Sequence, residues 1–140
     1  MKEMKIKISI EEIRDRIKPM FYDEGLQLVV LFGTVASGSI HKKSDIDLAF
    51  LFDKPVDILA LTNRVIRLLK ANDVDVIDLK RASPLLQLSV AKNGKLIYEK
   101  YQGNFNAFCS LAFRKYIDTR KLRDAQAKVI RNFLEVRGMV

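Results

Sequence analysis

Asp45-Ile46-Asp47 is the place to look for chemistry, because it sets two carboxylates two residues apart at the start of an apolar run. In an extended strand, residues i and i+2 project from one face. Asp45 and Asp47 therefore stand side by side, with Ala49 and Leu51 continuing their face, while Ile46, Leu48, Phe50 and Phe52 point the other way, into the core. Like charges so placed repel, and a divalent cation reverses that penalty. Magnesium takes oxygen ligands and is commonly held by a few carboxylates together with substrate phosphate. The plainer alternative is a pair of solvated acids at a strand entrance. A third acid lies downstream in Val74-Asp75-Val76-Ile77-Asp78-Leu79. Alternation sends Asp75 and Asp78 to opposite sides, so only one can join the pair. An acid inside an apolar strand is costly unless paired or metal-bound. Asp75 lies deeper in the run and is the candidate.

The segment before the pair has the composition of a phosphate-binding loop. Gly33-Thr34 ends an apolar run, ten residues separate it from Asp45, and Gly38 falls within that span. Glycine lets backbone N–H groups approach an anion, and the hydroxyl of Thr34 or Ser44 can donate to a phosphate oxygen. Lys42 and Lys43 stand next to the acids and can neutralise phosphate charge. Simple turn punctuation is the other reading of the two glycines. His41, in the same loop, reads as a solvated residue.

The elements that must position these residues are legible from periodicity. Ser9-Ile10-Glu11-Glu12 has the form of a capping box, and Ile10, Ile13, Ile17 and Met20/Phe21 recur at helical spacing until Gly25. Leu26 to Phe32 reads as a buried strand, and Asp45 to Phe52 as a second. Asp53 is expected to cap a helix started by Lys54-Pro55, with Ile58, Leu61, Val65, Leu68 and Leu69 on its apolar face. Val74 to Leu79 is a third strand. Ser83-Pro84 starts a short helix that ends near Asn93-Gly94, and Lys95 to Tyr98 forms a short strand. Gly103-Asn104 opens a long helical tail. Phe105, Phe108, Leu111/Ala112, Phe113 and Tyr116 mark its first apolar face, and Val129, Ile130 and Phe133 a second. The first half of the tail is expected to pack on the domain. Cys109 reads as a small core or interface residue. The order implies an α/β (α+β) fold, a small sheet backed by helices.

Composition narrows the classes. The chain has 140 residues, enough for one domain, which we divide into residues 1–100 as a core and 101–140 as its helical tail. With 49% apolar and 30% charged residues it has the balance of an ordinary soluble globular protein. The longest apolar run, Leu28 to Phe32, is far short of a membrane span. Residues 1–25 lack a signal-peptide apolar stretch, so a cytoplasmic location is expected. One cysteine and one histidine leave carboxylates as the chain's metal ligands. The net charge is +8, and residues 100–140 carry nine Lys/Arg against three acids. Such a tail points to an anionic partner or, more plainly, to a solvated helix face.

Taken together, Gly33-Thr34, the ten-residue spacer, Ser44-Asp45-Ile46-Asp47-Leu48 and Val74-Asp75-Val76-Ile77 resemble the minimal nucleotidyltransferases of the DNA polymerase β superfamily. The resemblance spans residues 9–100. Chain size and the basic tail most resemble the antitoxin subunits of HEPN/MNT toxin–antitoxin pairs. Thr34 replaces the family's usual serine, and Val35-Ala36-Ser37 stands where a loop arginine is usual. The resemblance implies a polymerase-β-like nucleotidyltransferase fold with a small mixed sheet. Asp45, Asp47 and Asp75 become the catalytic and metal residues, holding two Mg²⁺ ions. Gly33, Thr34, Lys43 and Ser44 become the nucleotide-binding residues. AMP would pass from ATP to a tyrosine of a cognate HEPN RNase toxin, silencing it, in a hetero-oligomer with that toxin. Neither a membrane nor nucleic acid is expected as a partner or direct substrate. The alternatives are transfer to a small molecule such as an aminoglycoside, a non-catalytic antitoxin acting by contact alone, and a nucleic-acid binder using the basic tail.

Overall fold

The computed structural model describes residues 8–32 and 46–138. Helix α1 (Ile10–Ile17) runs into a 3-10 turn (Lys18–Tyr22) and then strand β1 (Leu26–Phe32). Strand β2 (Ile46–Phe52), helix α2 (Ile58–Leu69) and strand β3 (Val74–Asp78) follow, with a short 3-10 turn at Leu79–Arg81. Helix α3 (Pro84–Asn93), strand β4 (Lys95–Glu99) and helices α4 (Asn104–Asp118) and α5 (Arg120–Val136) complete the chain.

The four strands form one mixed sheet in the order β3-β2-β1-β4. β1 pairs antiparallel with β2 and β4, and β3 pairs parallel with β2. A parallel pair needs a crossover, and α2 supplies it. The fold is therefore the mixed α/β arrangement expected from the sequence. Both faces of the sheet are covered. On one, Val29, Leu31, Ile46, Leu48, Phe50 and Phe52 join Ile13 and Ile17 of α1 and Leu61, Val65 and Leu69 of α2. On the other, Leu28, Val30, Phe32, Ala49 and Leu51 meet Val90 of α3 and Phe108 and Ala112 of α4. This second layer is why β1 is apolar at nearly every position rather than alternating. The Ala49 and Leu51 face of β2 is thus core too, and not only the Ile46 face.

Local chemistry sets the boundaries. Ser9 Oγ accepts from the Glu12 N–H at 3.1 Å, as the capping box requires. The Glu12 carboxylate turns instead to Arg16, 2.8 Å away. Pro19 lies at the start of the first 3-10 turn, and Gly25 takes the left-handed conformation (φ 87°) that carries the chain into β1. Arg14 and Arg16 tie α1 across the layer by donating to Ile97 O at 2.9 Å and Leu69 O at 2.7 Å. Ser83 caps α3 and Pro84 opens it. Gly94 then lets α3 hand over to β4, since a Cβ there would collide with Val30 and the Val90 carbonyl.

Three expectations are corrected. The cap of α2 is Asp57, whose Oδ1 accepts from Leu59 and Ala60 N–H at 3.1 and 3.2 Å; Asp53 and Pro55 precede the helix. The wider spacing arises because the Asp53 N–H is held by Gly25 O at 2.8 Å. The tail is two helices broken at Thr119, where Thr119 Oγ1 bonds back to the Lys115 carbonyl. Within α4, Phe108 and Ala112 are buried, whereas Phe113 is 46% exposed. Among the described residues no helix is long and apolar enough to cross a membrane.

Candidate active site

Strand register decides which acids meet. Phe32 of β1 pairs with Asp47 of β2, and Asp47 pairs with Asp75 of β3. The three residues form one row across the sheet. Partners in such a row project from a common face and lie about 4.8 Å apart across strands. This row stands on the Ala49 side, at the end of the sheet where β1 leaves and β2 enters. Gly33, Thr34, Lys42, Lys43, Ser44 and Asp45, the remaining residues of the sequence pattern, lie outside the described residues.

Asp47 and Asp75 share a row but not an environment. Asp47 is 1% exposed, beside the central strand β1, whereas Asp75 is exposed on β3, at the sheet's edge. Asp78 pairs with Phe50 and so belongs to the opposite face. Its carboxylate is occupied locally, accepting from the Lys80 N–H at 3.2 Å to cap the 3-10 turn that follows β3. The choice between Asp75 and Asp78 therefore follows from the β2–β3 register.

This donor set suits a hard cation. Both groups offer only oxygen, and two carboxylates in one row raise each other's energy unless positive charge lies between them. Among the described residues no third His, Cys, Asp or Glu joins them.

A second concavity was not legible in the sequence. A groove of about 540 Å³ opens on the same sheet face at its other end, floored by Leu51, Leu79, Phe108 and Ala112 and rimmed by Asp53, Lys80, Asn104 and Lys115. Gln87 is 5% exposed at this groove and donates to Leu79 O at 2.7 Å. Its residues come from five separate segments at no fixed spacing, so no motif announces it. Cys109 sits half-buried on α4, with its thiol 3.8 Å from Ala91 O. Burial pushes the Cys109 thiol pKa up, away from the reactive thiolate.

The fold is that of a nucleotidyltransferase. Residues 15–103 match the family model described as polymerase beta, nucleotidyltransferase, and the chain belongs to that family. It is similar to the protein adenylyltransferase MntA of Aphanizomenon flos-aquae, with 29% identity over 126 residues, 81% of this chain and 84% of the relative. It also resembles a crystal structure of a toxin–antitoxin with AMP-PNP, at 28% identity and a TM-score of 0.71, covering 84% of this chain and 98% of the other. A crystal structure of the toxin–antitoxin MntA-HepT aligns with a TM-score of 0.66 and 26% identity, over 87% of this chain and 96% of that one.

Proposed function

We propose that this nucleotidyltransferase moves AMP from ATP to a tyrosine hydroxyl of a cognate HEPN-type RNase toxin, acting as its antitoxin in a cytoplasmic complex. The observation that carries the reading is the in-register pairing of Asp47 with Asp75 at the sheet end that borders residues 33–45. Similarity to an adenylyltransferase and to toxin–antitoxin structures, one with an ATP analogue, supports the nucleotide and the protein acceptor.

In this reading Asp45, Asp47 and Asp75 are the catalytic carboxylates and hold two Mg²⁺ ions. Gly33, Thr34, Lys43 and Ser44 bind the triphosphate. When bound, the cations draw charge from the phosphates and lower the acceptor hydroxyl's pKa. The chain's own contribution divides according to burial. Asp47, fixed in a strand with paired neighbours on both sides, is oriented before any substrate arrives. Asp75, exposed at the sheet edge, is accessible to a bulky acceptor and takes the hydroxyl proton. The hydroxyl oxygen bonds to the α-phosphorus as the bond from that phosphorus to the pyrophosphate oxygen breaks. AMP stays on the acceptor and pyrophosphate leaves.

The test incubates the purified chain with its HEPN toxin, Mg²⁺ and ATP labelled on either the α- or the γ-phosphate. Only the α-label should be retained on the toxin, at a tyrosine located by peptide mass spectrometry, and chelation should abolish retention. An unlabelled toxin overturns the proposal. Label arriving on an aminoglycoside instead would move the acceptor to the small-molecule class.

A further inference from the structure

We propose that the outer face of α5 is a docking seam for one amphipathic, acidic-flanked helix of the protein that this enzyme modifies. The inference rests on the reading that the acceptor is a protein.

Helix α5 buries none of its residues against the rest of the chain. Leu122, Gln126, Val129, Phe133 and Val136 follow one another at alternating spacings of four and three, the spacing of a coiled-coil seam. The four apolar members stand 59, 67, 51 and 82% exposed in that order, and Ile130 beside them is 59% exposed. The seam is held out on a prepared joint. Arg123 stacks on the Tyr116 ring at 4.0 Å, donates to Tyr116 O at 3.0 Å, and also bonds Thr119 Oγ1. These contacts fix α5 on α4 and leave Leu122, Val129 and Val136 uncovered, while Arg137 stacks on the Phe133 ring at 3.9 Å.

Charge and shape select the occupant. At 100° per residue, Lys121 and Lys128 lie along one side of the seam, and Arg123 and Arg137 along the other. A second copy of this chain would bring basic flanks against basic flanks, which is unfavourable. A helix that lies in a lipid surface keeps its apolar face free of polar side chains, whereas here Gln126 interrupts the apolar row between Leu122 and Val129. One polar seam residue instead suits a helix pair, where it specifies register. Two heptads are too few for a self-standing coiled coil, but enough to seat one helix of a folded partner. Acidic residues flanking that helix complete the match.

The seam belongs to none of the strands that carry the acids. The α4 residues leading towards it, Ala107, Leu111 and Lys115, line the groove at Asp53 and Lys80, at the end of the sheet opposite Asp47. Docking there holds the acceptor without altering the reacting groups, so its loss should appear in KM rather than kcat.

Two variants test this in the full chain: Val129→Glu with Phe133→Glu, and Lys121→Glu with Lys128→Glu. All four positions are exposed, and both variants should keep the wild-type melting temperature. Each should raise KM for the HEPN toxin at least tenfold, with kcat and KM for ATP unchanged. Added salt should raise the wild-type KM more than that of the charge variant, because exposed charges are screened beyond about 8–10 Å at 0.1–0.15 M. An unchanged KM for the toxin overturns the proposal. So does wild-type binding to phosphatidylserine vesicles, or a wild-type dimer in sedimentation, that the same variants abolish. If the wild type labels no toxin, the acceptor reading falls instead. The seam is then titrated by calorimetry with a synthetic leucine-heptad peptide carrying glutamate flanks. Binding that both variants remove supports docking, and no binding overturns it.

Discussion

At one end of the sheet a carboxylate, Asp47, is 1% exposed in a row with Phe32 and two residues from fully buried Ala49. Beyond Thr119, four apolar side chains of the α5 seam stand more than half exposed. Each region departs from the usual partition of side chains, one by burying charge and the other by exposing hydrocarbon. Buried charge is retained at a cost unless it is compensated, and a contiguous apolar surface of this kind marks an interaction site. The two departures also differ in coupling to the fold. Asp47 belongs to the strand pair at the centre of the sheet, whereas α5 buries none of its own residues and is tied to α4 by the Arg123 joint.

The largest expected effect tests the buried end. Asp47→Asn should lower AMP transfer roughly 10³-fold, about 4 kcal/mol of transition-state stabilisation. Without divalent cation its melting temperature should stay close to the wild-type value, because asparagine keeps the size and shape of the buried side chain. Transfer assays beside thermal melts measure both, and a sharply destabilised variant would recast Asp47 as a structural residue. Next, one side-chain type separates the regions. Phe50→Ala, in the layer between sheet and α2, should cost about 3–5 kcal/mol in denaturant unfolding. Between these regions, Asp75→Asn and Asp78→Asn test the register. Asp75→Asn should abolish most transfer, while Asp78→Asn should retain it and shift stability by about 0.5 kcal/mol or less, since asparagine keeps the cap. The reverse result would place Asp78 at the site and contradict the β2–β3 pairing. The smallest effect is expected at Phe133→Ala, within about 0.5 kcal/mol of wild type in the same unfolding experiment. A loss comparable to that of Phe50→Ala would mean that α5 is part of the core.

Much of this was legible because it depends on neighbours in sequence. Ser9 and Ser83 cap the helices they were expected to cap, since a cap bonds N–H groups two or three residues away. The cap of α2 was misplaced from Asp57 to Asp53 for the opposite reason: the Asp53 N–H answers to Gly25, distant in sequence. The break at Thr119 was missed because its side chain competes for a backbone carbonyl inside an otherwise helical pattern.

The sequence by itself determined that Asp47, Asp75 and Asp78 fall at strand positions and that Asp75 and Asp78 face opposite sides, because the period of two is a property of the extended backbone. It also marked Val129, Ile130 and Phe133 as an apolar face of the helical tail, because helical spacing is equally local. Only the tertiary structure decided that β3 lies parallel to β2 with Asp75 level with Asp47. Register between strands comes from the packing of both sheet faces and the length of the α2 crossover, and neither is written in any one segment. Tertiary structure likewise decided that Phe108 is covered while Phe113 and the α5 seam are not. Burial depends on what the rest of the chain can reach, and the sheet ends before α5 begins.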